Sequence, residues 1–103
     1  MKTNTKIMIV DDAEMNREIL MAILGDEYEY VQAENGRQAI HILQQDMNID
    51  LMLLDINMQD MNGIQVLERM NTFHWINDIP VIMISSEEKK DVIARAYILG
   101  AED

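Results

Sequence analysis

The sequence predicts an α/β fold built on a parallel sheet. Short apolar runs alternate along the chain with segments whose apolar residues recur at helical spacing. Three of the runs contain four apolar residues without a break, which is typical of strands that are covered on both faces. Strands that alternate with helices of this length are joined by right-handed crossovers, and helices then cover both sides of the sheet.

Four runs are assigned to strands. The runs KIMIV and LMLL are continuous in aliphatic residues, whereas YEYVQA is more polar and is expected to be less buried. Pro80 precedes the last run, at a position where its missing N–H does least harm to a sheet. The predicted strands are residues 6–10, 28–33, 50–54 and 81–84.

Each predicted strand is followed by a predicted helix. The first helix is marked by apolar residues at helical spacing before a glycine that is suited to end it: Met15, Ile19, Ile23 and Leu24, then Gly25. The other three are marked by Ala39, Ile40, Leu43 and Met47; by Ile64, Leu67 and Met70; and by Val92, Ile93, Ala96 and Leu99. The 103 residues therefore form one domain of the order β-α-β-α-β-α-β-α.

The composition narrows the classes of function. The chain carries 19 acidic and 8 basic residues, for a net charge of −11, and such a surface repels the phosphates of nucleic acids. No apolar run approaches the roughly 20 residues that cross a bilayer, and the N-terminus has no signal-peptide pattern. Cysteine is absent, which fits a reducing cytoplasm. We expect a cytoplasmic domain that binds neither nucleic acid nor membrane.

Acidic residues directly follow two of the buried strands. Asp11 and Asp12 follow the first strand, Asp55 follows the third, and Ser85 and Ser86 follow the fourth. Ligands of open parallel sheets bind beyond the carboxyl ends of the strands, so these side chains meet if their strands are neighbours. Three carboxylates at one edge either share a proton or surround a cation. A hard ion such as Mg²⁺ suits this oxygen donor set, although Asp12 alone is equally explained as a helix cap.

Three segments that contain these residues resemble the signature segments of the receiver domain of two-component response regulators. They are IMIVDD, LMLLDINMQDMNG and IPVIMISS. ENGRQA and GAED stand at the matching places, so the resemblance runs in order from residue 6 to residue 103. It implies a flavodoxin-like sheet of order 2-1-3-4-5. It also implies a signalling domain that catalyses only its own phosphorylation and dephosphorylation.

The resemblance implies a role for each acidic residue. Asp55 corresponds to the aspartate that accepts a phosphoryl group from a histidine kinase or a phosphotransfer protein. Mg²⁺ is then held by Asp11 or Asp12, together with Asp55 and the backbone carbonyl of Asn57.

Further residues are assigned to switching and to the lifetime of the phosphorylated form. By the resemblance, the Ser85 hydroxyl turns toward the phosphoryl group and draws in the loop and helix after the fourth strand, which signal to a partner or output domain. Asn57 and Glu87 flank the path of the hydrolytic water. An amide and an acid there imply a short-lived phosphorylated form, although both are equally explained as polar loop residues.

The chain departs from the receiver pattern at two places. Gln59 and Asn62 stand where receivers usually carry proline and aspartate. Gln59 loosens a loop that proline would stiffen, and neither side chain is an expected metal ligand. The sequence ends at Asp103, before the fifth strand and its lysine, so we expect residues 1–103 to be a receiver domain that is incomplete at its C-terminus. An apolar fourth strand at the edge would then favour an edge-paired or swapped dimer.

Two other classes of function fit part of the pattern. A magnesium-dependent phosphohydrolase of the haloacid dehalogenase type also forms an aspartyl-phosphate, but it carries its nucleophile in a DxD arrangement after the first strand, where this chain has DDA. A phosphorylation-independent interaction scaffold on the receiver fold would have no use for the acids that this chain retains. Reaction with a small phosphodonor separates the three classes.

Overall fold

The structure, a computed structural model, describes residues 5–46, 48–58, 60–84 and 90–103, without the side chains of residues 90 and 91. Within these residues the strands are β1 Lys6–Val10, β2 Glu29–Ala33, β3 Leu51–Leu54 and β4 Val81–Met83. The helices are α1 Glu14–Leu24, α2 Gly36–Gln45, α3 Gly63–Thr72 and α4 Lys90–Ile98, and a short 3₁₀ turn spans Trp75–Asn77. The predicted order of the elements is therefore confirmed.

The strands form one parallel sheet in the order β2-β1-β3-β4. This order confirms the predicted α/β fold and the first four strands of the flavodoxin-like arrangement. In the register of the sheet, Val10 is paired with Ala33 on one side and with Leu54 on the other, and Leu54 is paired with Met83. The residues that follow β1, β3 and β4 therefore leave the sheet at the same edge.

The core has two parts because successive residues of a strand point to opposite faces of the sheet. On one face Met8, Val10 and Leu54 are fully buried beneath α2, α3 and α4. On the other face Ile7 and Ile9 belong to a smaller cluster that α1 covers. Both faces are thus packed, as the apolar runs predict. Among the described residues, no helix has the length and apolar character needed to cross a membrane.

The first helix is present where it was predicted, but a different stripe of its residues packs on the sheet. Met15, Ile19 and Ile23, which marked the helix in the sequence, are 71%, 50% and 74% exposed. Instead Leu20, Met21 and Leu24 pack against the sheet. The helix carries two apolar stripes, and the spacing alone does not say which of them faces inward.

The outer edge of β4 is not free, contrary to the expectation from the sequence. The N–H of Glu102 donates to the carbonyl of Val81 at 2.8 Å, and the N–H of Met83 donates to the carbonyl of Asp103 at 2.7 Å. The last two residues therefore lie beside β4, on the side away from β3. These bonds satisfy backbone groups of β4 that could otherwise pair with a second copy of the chain. The edge-paired dimer stays a prediction, but an unpaired edge at β4 no longer supports it.

Candidate functional site

The backbone beyond the strand ends places two acids at one edge of the sheet. The N–H of Asp11 donates to the carbonyl of Ala33 at 3.1 Å, and the N–H of Asp55 donates to the carbonyl of Val10 at 2.9 Å. Parallel pairing thus continues from β2 through β1 to β3 at the residues that carry the carboxylates. Asp11 and Asp55 are fixed to neighbouring strands, so their separation is set by the sheet.

Three carboxylates come together at this edge. One carboxylate oxygen from each of Asp11, Asp12 and Asp55 lies within 4.8 Å of the others. Asp11 is 4% exposed and Asp55 9% exposed, whereas Asp12 is exposed. Like charges this close repel one another, and the buried pair has little water to relieve that repulsion. An arrangement of this kind could hold a cation.

Asp11 is held firmly by the start of α1. Its Oδ1 accepts a hydrogen bond from the N–H of Ala13 at 2.9 Å, and its Oδ2 accepts one from Nδ2 of Asn16 at 3.3 Å. The N-cap position of α1 is Ala13, which has no side-chain capping bond. The alternative that Asp12 caps this helix is therefore not supported, because Asp12 does not occupy the cap position.

Asp55 is oriented by the loop that follows it. Its Oδ1 accepts a hydrogen bond from the N–H of Asn57 at 3.1 Å, so Asn57 lies beside the Asp55 carboxylate, and Asn57 is exposed. The loop then returns to the start of α3, where Gly63 packs on the backbone of Asp55. A Cβ at Gly63 would lie 2.6 Å from the Asp55 carbonyl oxygen, so only glycine fits there without a shift of the backbone.

Several residues named in the sequence analysis lie outside the described part of the chain. Met47, Gln59, Ser85, Ser86 and Glu87 belong to this group. The described chain reaches Ile84, whose N–H donates to the carbonyl of Leu54 at 3.1 Å. The assigned roles of Ser85 and Glu87 remain predictions.

Sequence reasoning missed Arg17, a buried residue of α1 that contacts the site. Its Nη1 donates to the backbone carbonyl of Asp11 at 2.6 Å, and its Nε donates to Oε1 of Gln32 on β2 at 3.0 Å. Arg17 shares a stripe of the helix with Leu20, Met21 and Leu24. The available signal was a charged residue in line with an apolar stripe of the helix, six positions after Asp11.

A cavity of about 260 Å³ opens beside Asp11 and is lined by residues of α1 and by the residue after β4. Its lining residues are Asp11, Asn16, Ile19, Leu20 and Ile84. The cavity reaches one of the three clustered carboxylates from the side of the sheet that α1 covers.

The fold and the carboxylate cluster agree with one family of proteins. The family model described as the response regulator receiver domain matches residues 7–103. The chain therefore belongs to the receiver domain family of two-component response regulators.

Individual relatives agree with this assignment. The chain is 35% identical over 104 residues to the two-component response regulator-like protein PRR37 of Oryza sativa subsp. indica, and the match covers 99% of this chain but 14% of PRR37. It is 30% identical over 98 residues to the two-component response regulator ORR3 of the same subspecies, covering 94% of this chain and 75% of ORR3. The chain thus spans only a small part of the longer relative.

Solved structures show the same fold. The chain is similar to a structure of the CheX-CheY-BeF3-Mg+2 complex from Borrelia burgdorferi, with a TM-score of 0.86 and 30% sequence identity. The match covers 95% of this chain and 74% of that chain.

Proposed function

We propose that this receiver domain accepts a phosphoryl group on Asp55 from the phosphohistidine of a sensor histidine kinase or a phosphotransfer protein. The observation that carries the proposal is the cluster of Asp11, Asp12 and Asp55, whose oxygens lie within 4.8 Å of one another at the strand ends. In the proposal residues 1–103 act as a cytoplasmic signalling domain that catalyses only its own phosphorylation and dephosphorylation. The identity of its partner or output domain is left open.

The transfer is a single displacement at phosphorus. A carboxylate oxygen of Asp55 attacks the phosphorus, and the new O–P bond forms as the P–N bond to the imidazole breaks. The imidazole nitrogen keeps the electron pair of that bond and takes up a proton. The hydrogen bond from the N–H of Asn57 to Asp55 Oδ1 fixes the carboxylate, and the 9% exposure of Asp55 limits competing attack by water.

The donor set fits Mg²⁺. All three clustered side chains are carboxylates, and oxygen ligands are the ones that this ion prefers. Asp11, Asp12 and Asp55 would hold it together with the backbone carbonyl of Asn57. When bound, the ion supplies positive charge that offsets the charge of the carboxylates and of the phosphoryl oxygens. The Borrelia neighbour is itself a complex that contains Mg²⁺ and BeF3, which supports the assignment.

The proposal includes a switch and a short-lived phosphorylated form. The Ser85 hydroxyl would hydrogen-bond the phosphoryl group and carry the change to α4. Asn57 is exposed next to Asp55, where its amide and the carboxylate of Glu87 would admit the hydrolytic water. We expect Asn57→Leu and Glu87→Leu each to lengthen the lifetime of the phosphorylated form several-fold, as measured by loss of the label after the donor is removed. Unchanged decay in both variants would refute the tuning role.

Labelling with a small phosphodonor tests the proposed function. The chain is incubated with Mg²⁺ and acetyl phosphate, and bound phosphate is measured by intact mass. We expect stoichiometric labelling that is lost in Asp55→Asn. Asp60→Asn is the matched control, because Asp60 is an exposed acid of the same loop that pairs with Arg37, and asparagine tolerates its positive φ of 63°.

The outcomes of this experiment separate the three classes of function. Steady release of phosphate without a labelled protein would favour a phosphohydrolase. No reaction at all would favour a phosphorylation-independent scaffold. Either result would overturn the proposal, as would labelling that persists in Asp55→Asn.

A further inference from the structure

Arg17 is a buried charge whose position calls for an explanation. It is 8% exposed, and in the described part of the chain the other buried charged residues are Asp11 and Asp55. No carboxylate of the described residues lies within ion-pair distance of its guanidinium. Burying a guanidinium is costly unless its donors are satisfied. Its donors reach instead the backbone carbonyl of Asp11 and the side chain of Gln32.

These two hydrogen bonds tie three elements together. Arg17 belongs to α1, Asp11 continues β1, and Gln32 lies on β2. The planar guanidinium presents its donors in a fixed fork, so it meets both acceptors at once, which the single ammonium of a lysine does not reproduce. The guanidinium therefore holds Asp11 through its backbone carbonyl and not through its carboxylate.

The N–H, the carbonyl and both carboxylate oxygens of Asp11 are hydrogen-bonded. Its N–H donates to the Ala33 carbonyl, its carbonyl accepts from Arg17, and its two carboxylate oxygens accept from Ala13 and Asn16. Without such restraint, repulsion from Asp12 and Asp55 would push the Asp11 carboxylate away. The restraint keeps the three carboxylates close in the absence of a cation, which lowers the reorganisation needed when a cation binds.

We propose that Arg17 is a positioning residue for the divalent-cation site, which acts by holding the Asp11 backbone so that its carboxylate stays within reach of the ion shared with Asp55. The inference rests on the proposed Mg²⁺ site. It predicts that loss of the fork weakens Mg²⁺ binding, and partners that orient metal ligands are commonly worth 10- to 100-fold in affinity.

The sign of the effect distinguishes this role from a purely electrostatic one. A positive charge near the site repels Mg²⁺, so if charge alone mattered, Arg17→Met would bind Mg²⁺ more tightly and Arg17→Lys would equal the wild type. A role in stability alone would lower the free energy of unfolding and leave the affinity of the folded protein unchanged. Positioning predicts weaker binding in both variants.

Isothermal titration calorimetry of the whole chain with MgCl₂ tests the inference. We expect Arg17→Lys and Arg17→Met each to weaken Mg²⁺ binding on the order of tenfold, with circular dichroism showing that the variants are folded. Arg69→Met is the matched control, because Arg69 is an exposed arginine in the last turn of α3, and it should bind Mg²⁺ as the wild type does.

A second variant keeps the test decisive if Arg17→Met fails to fold. Gln32→Leu leaves Arg17 in place and removes only its anchor on β2, at an exposed position, and it should weaken Mg²⁺ binding by about threefold. Wild-type affinity in both Gln32→Leu and Arg17→Lys, or tighter binding in Arg17→Met, would overturn the inference. A wild-type chain that binds no Mg²⁺ would instead overturn the proposed metal site itself.

Discussion

Asp12 differs from the other two clustered acids in its exposure to solvent. Asp11 and Asp55 are buried and hydrogen-bonded to the backbone, whereas Asp12 projects its charge into the cluster from an exposed position. In the absence of a cation its charge opposes folding. A substitution of Asp12 therefore measures how much repulsion among the three carboxylates lowers the free energy of unfolding.

Removing this charge should stabilise the metal-free protein. We expect Asp12→Asn to raise the free energy of unfolding by about 1 kcal/mol in EDTA at low salt, because two like charges near 4 Å repel by about this much in a watery site. The gain should shrink at high salt. Urea denaturation provides the measurement, and Asp26→Asn, which removes an exposed charge outside the cluster, should change stability less. A lower free energy of unfolding in Asp12→Asn would contradict the account.

The sequence predicts the acidic residues of the site but not all of the residues that hydrogen-bond to them. Asp11, Asp12 and Asp55 could be placed together because parallel strands end at a common edge. The contacts of Arg17 could not be predicted in the same way. They depend on the rotation of α1 about its axis, which packing against β1 and β2 decides.

At the scale of elements, the junction between β3 and α3 determines where Asp55 lies. Asn62 caps α3 and forms a capping box with Gln65, which fixes the first turn of the helix. Gly63 then allows that turn to pack directly on the backbone of Asp55 and Ile56. The loop that follows Asp55 is thus closed by a helix cap and a close backbone approach.

A methyl group at this junction should disturb the site. In Gly63→Ala the Cβ would lie 2.6 Å from the Asp55 carbonyl oxygen and 2.7 Å from Ile56 Cα, so the backbone must shift at a cost of about 2 kcal/mol. We expect both a lower free energy of unfolding and slower labelling by acetyl phosphate.

Gly25→Ala separates a local effect from a general loss of stability. Gly25 has a φ of +96° with nothing within 4 Å of an added Cβ, so alanine there costs about 2 kcal/mol through backbone strain alone. Gly25 follows the C-terminal end of α1, whereas Asp11 and Asp12 precede its N-terminal end, and the Gly25 variant should keep the wild-type labelling rate. Wild-type labelling in Gly63→Ala would show that the junction does not position Asp55.

Helix α1 shows that a periodic pattern predicts where a helix lies but not which of its faces is buried. Its position and its stop at Gly25 follow from the sequence. Its inward face does not, because the exposed stripe of Met15, Ile19 and Ile23 is as apolar and as regular as the buried one. Helical spacing locates an amphipathic segment, and only the contacts with the sheet decide which side is covered.

At the scale of the whole molecule, the sequence predicts the topology well because each strand is separated from the next by one helix. Right-handed crossovers then leave few arrangements, and the resemblance to receiver domains selects the order that the sheet adopts. The pairing of Glu102 and Asp103 with β4 was not predicted. Two residues carry no periodicity, so only the backbone of the folded chain reveals that they extend the sheet.

We propose that Asp55 is phosphorylated at a cation site that it shares with Asp11 and Asp12. The most direct test treats the chain with acetyl phosphate, reduces the acyl phosphate with borohydride, and maps the modified residue by peptide mass spectrometry. The account predicts modification at Asp55 alone, in the presence of Mg²⁺ and not in EDTA. Modification at another residue, or an equal yield at Asp55 without a divalent cation, would contradict it.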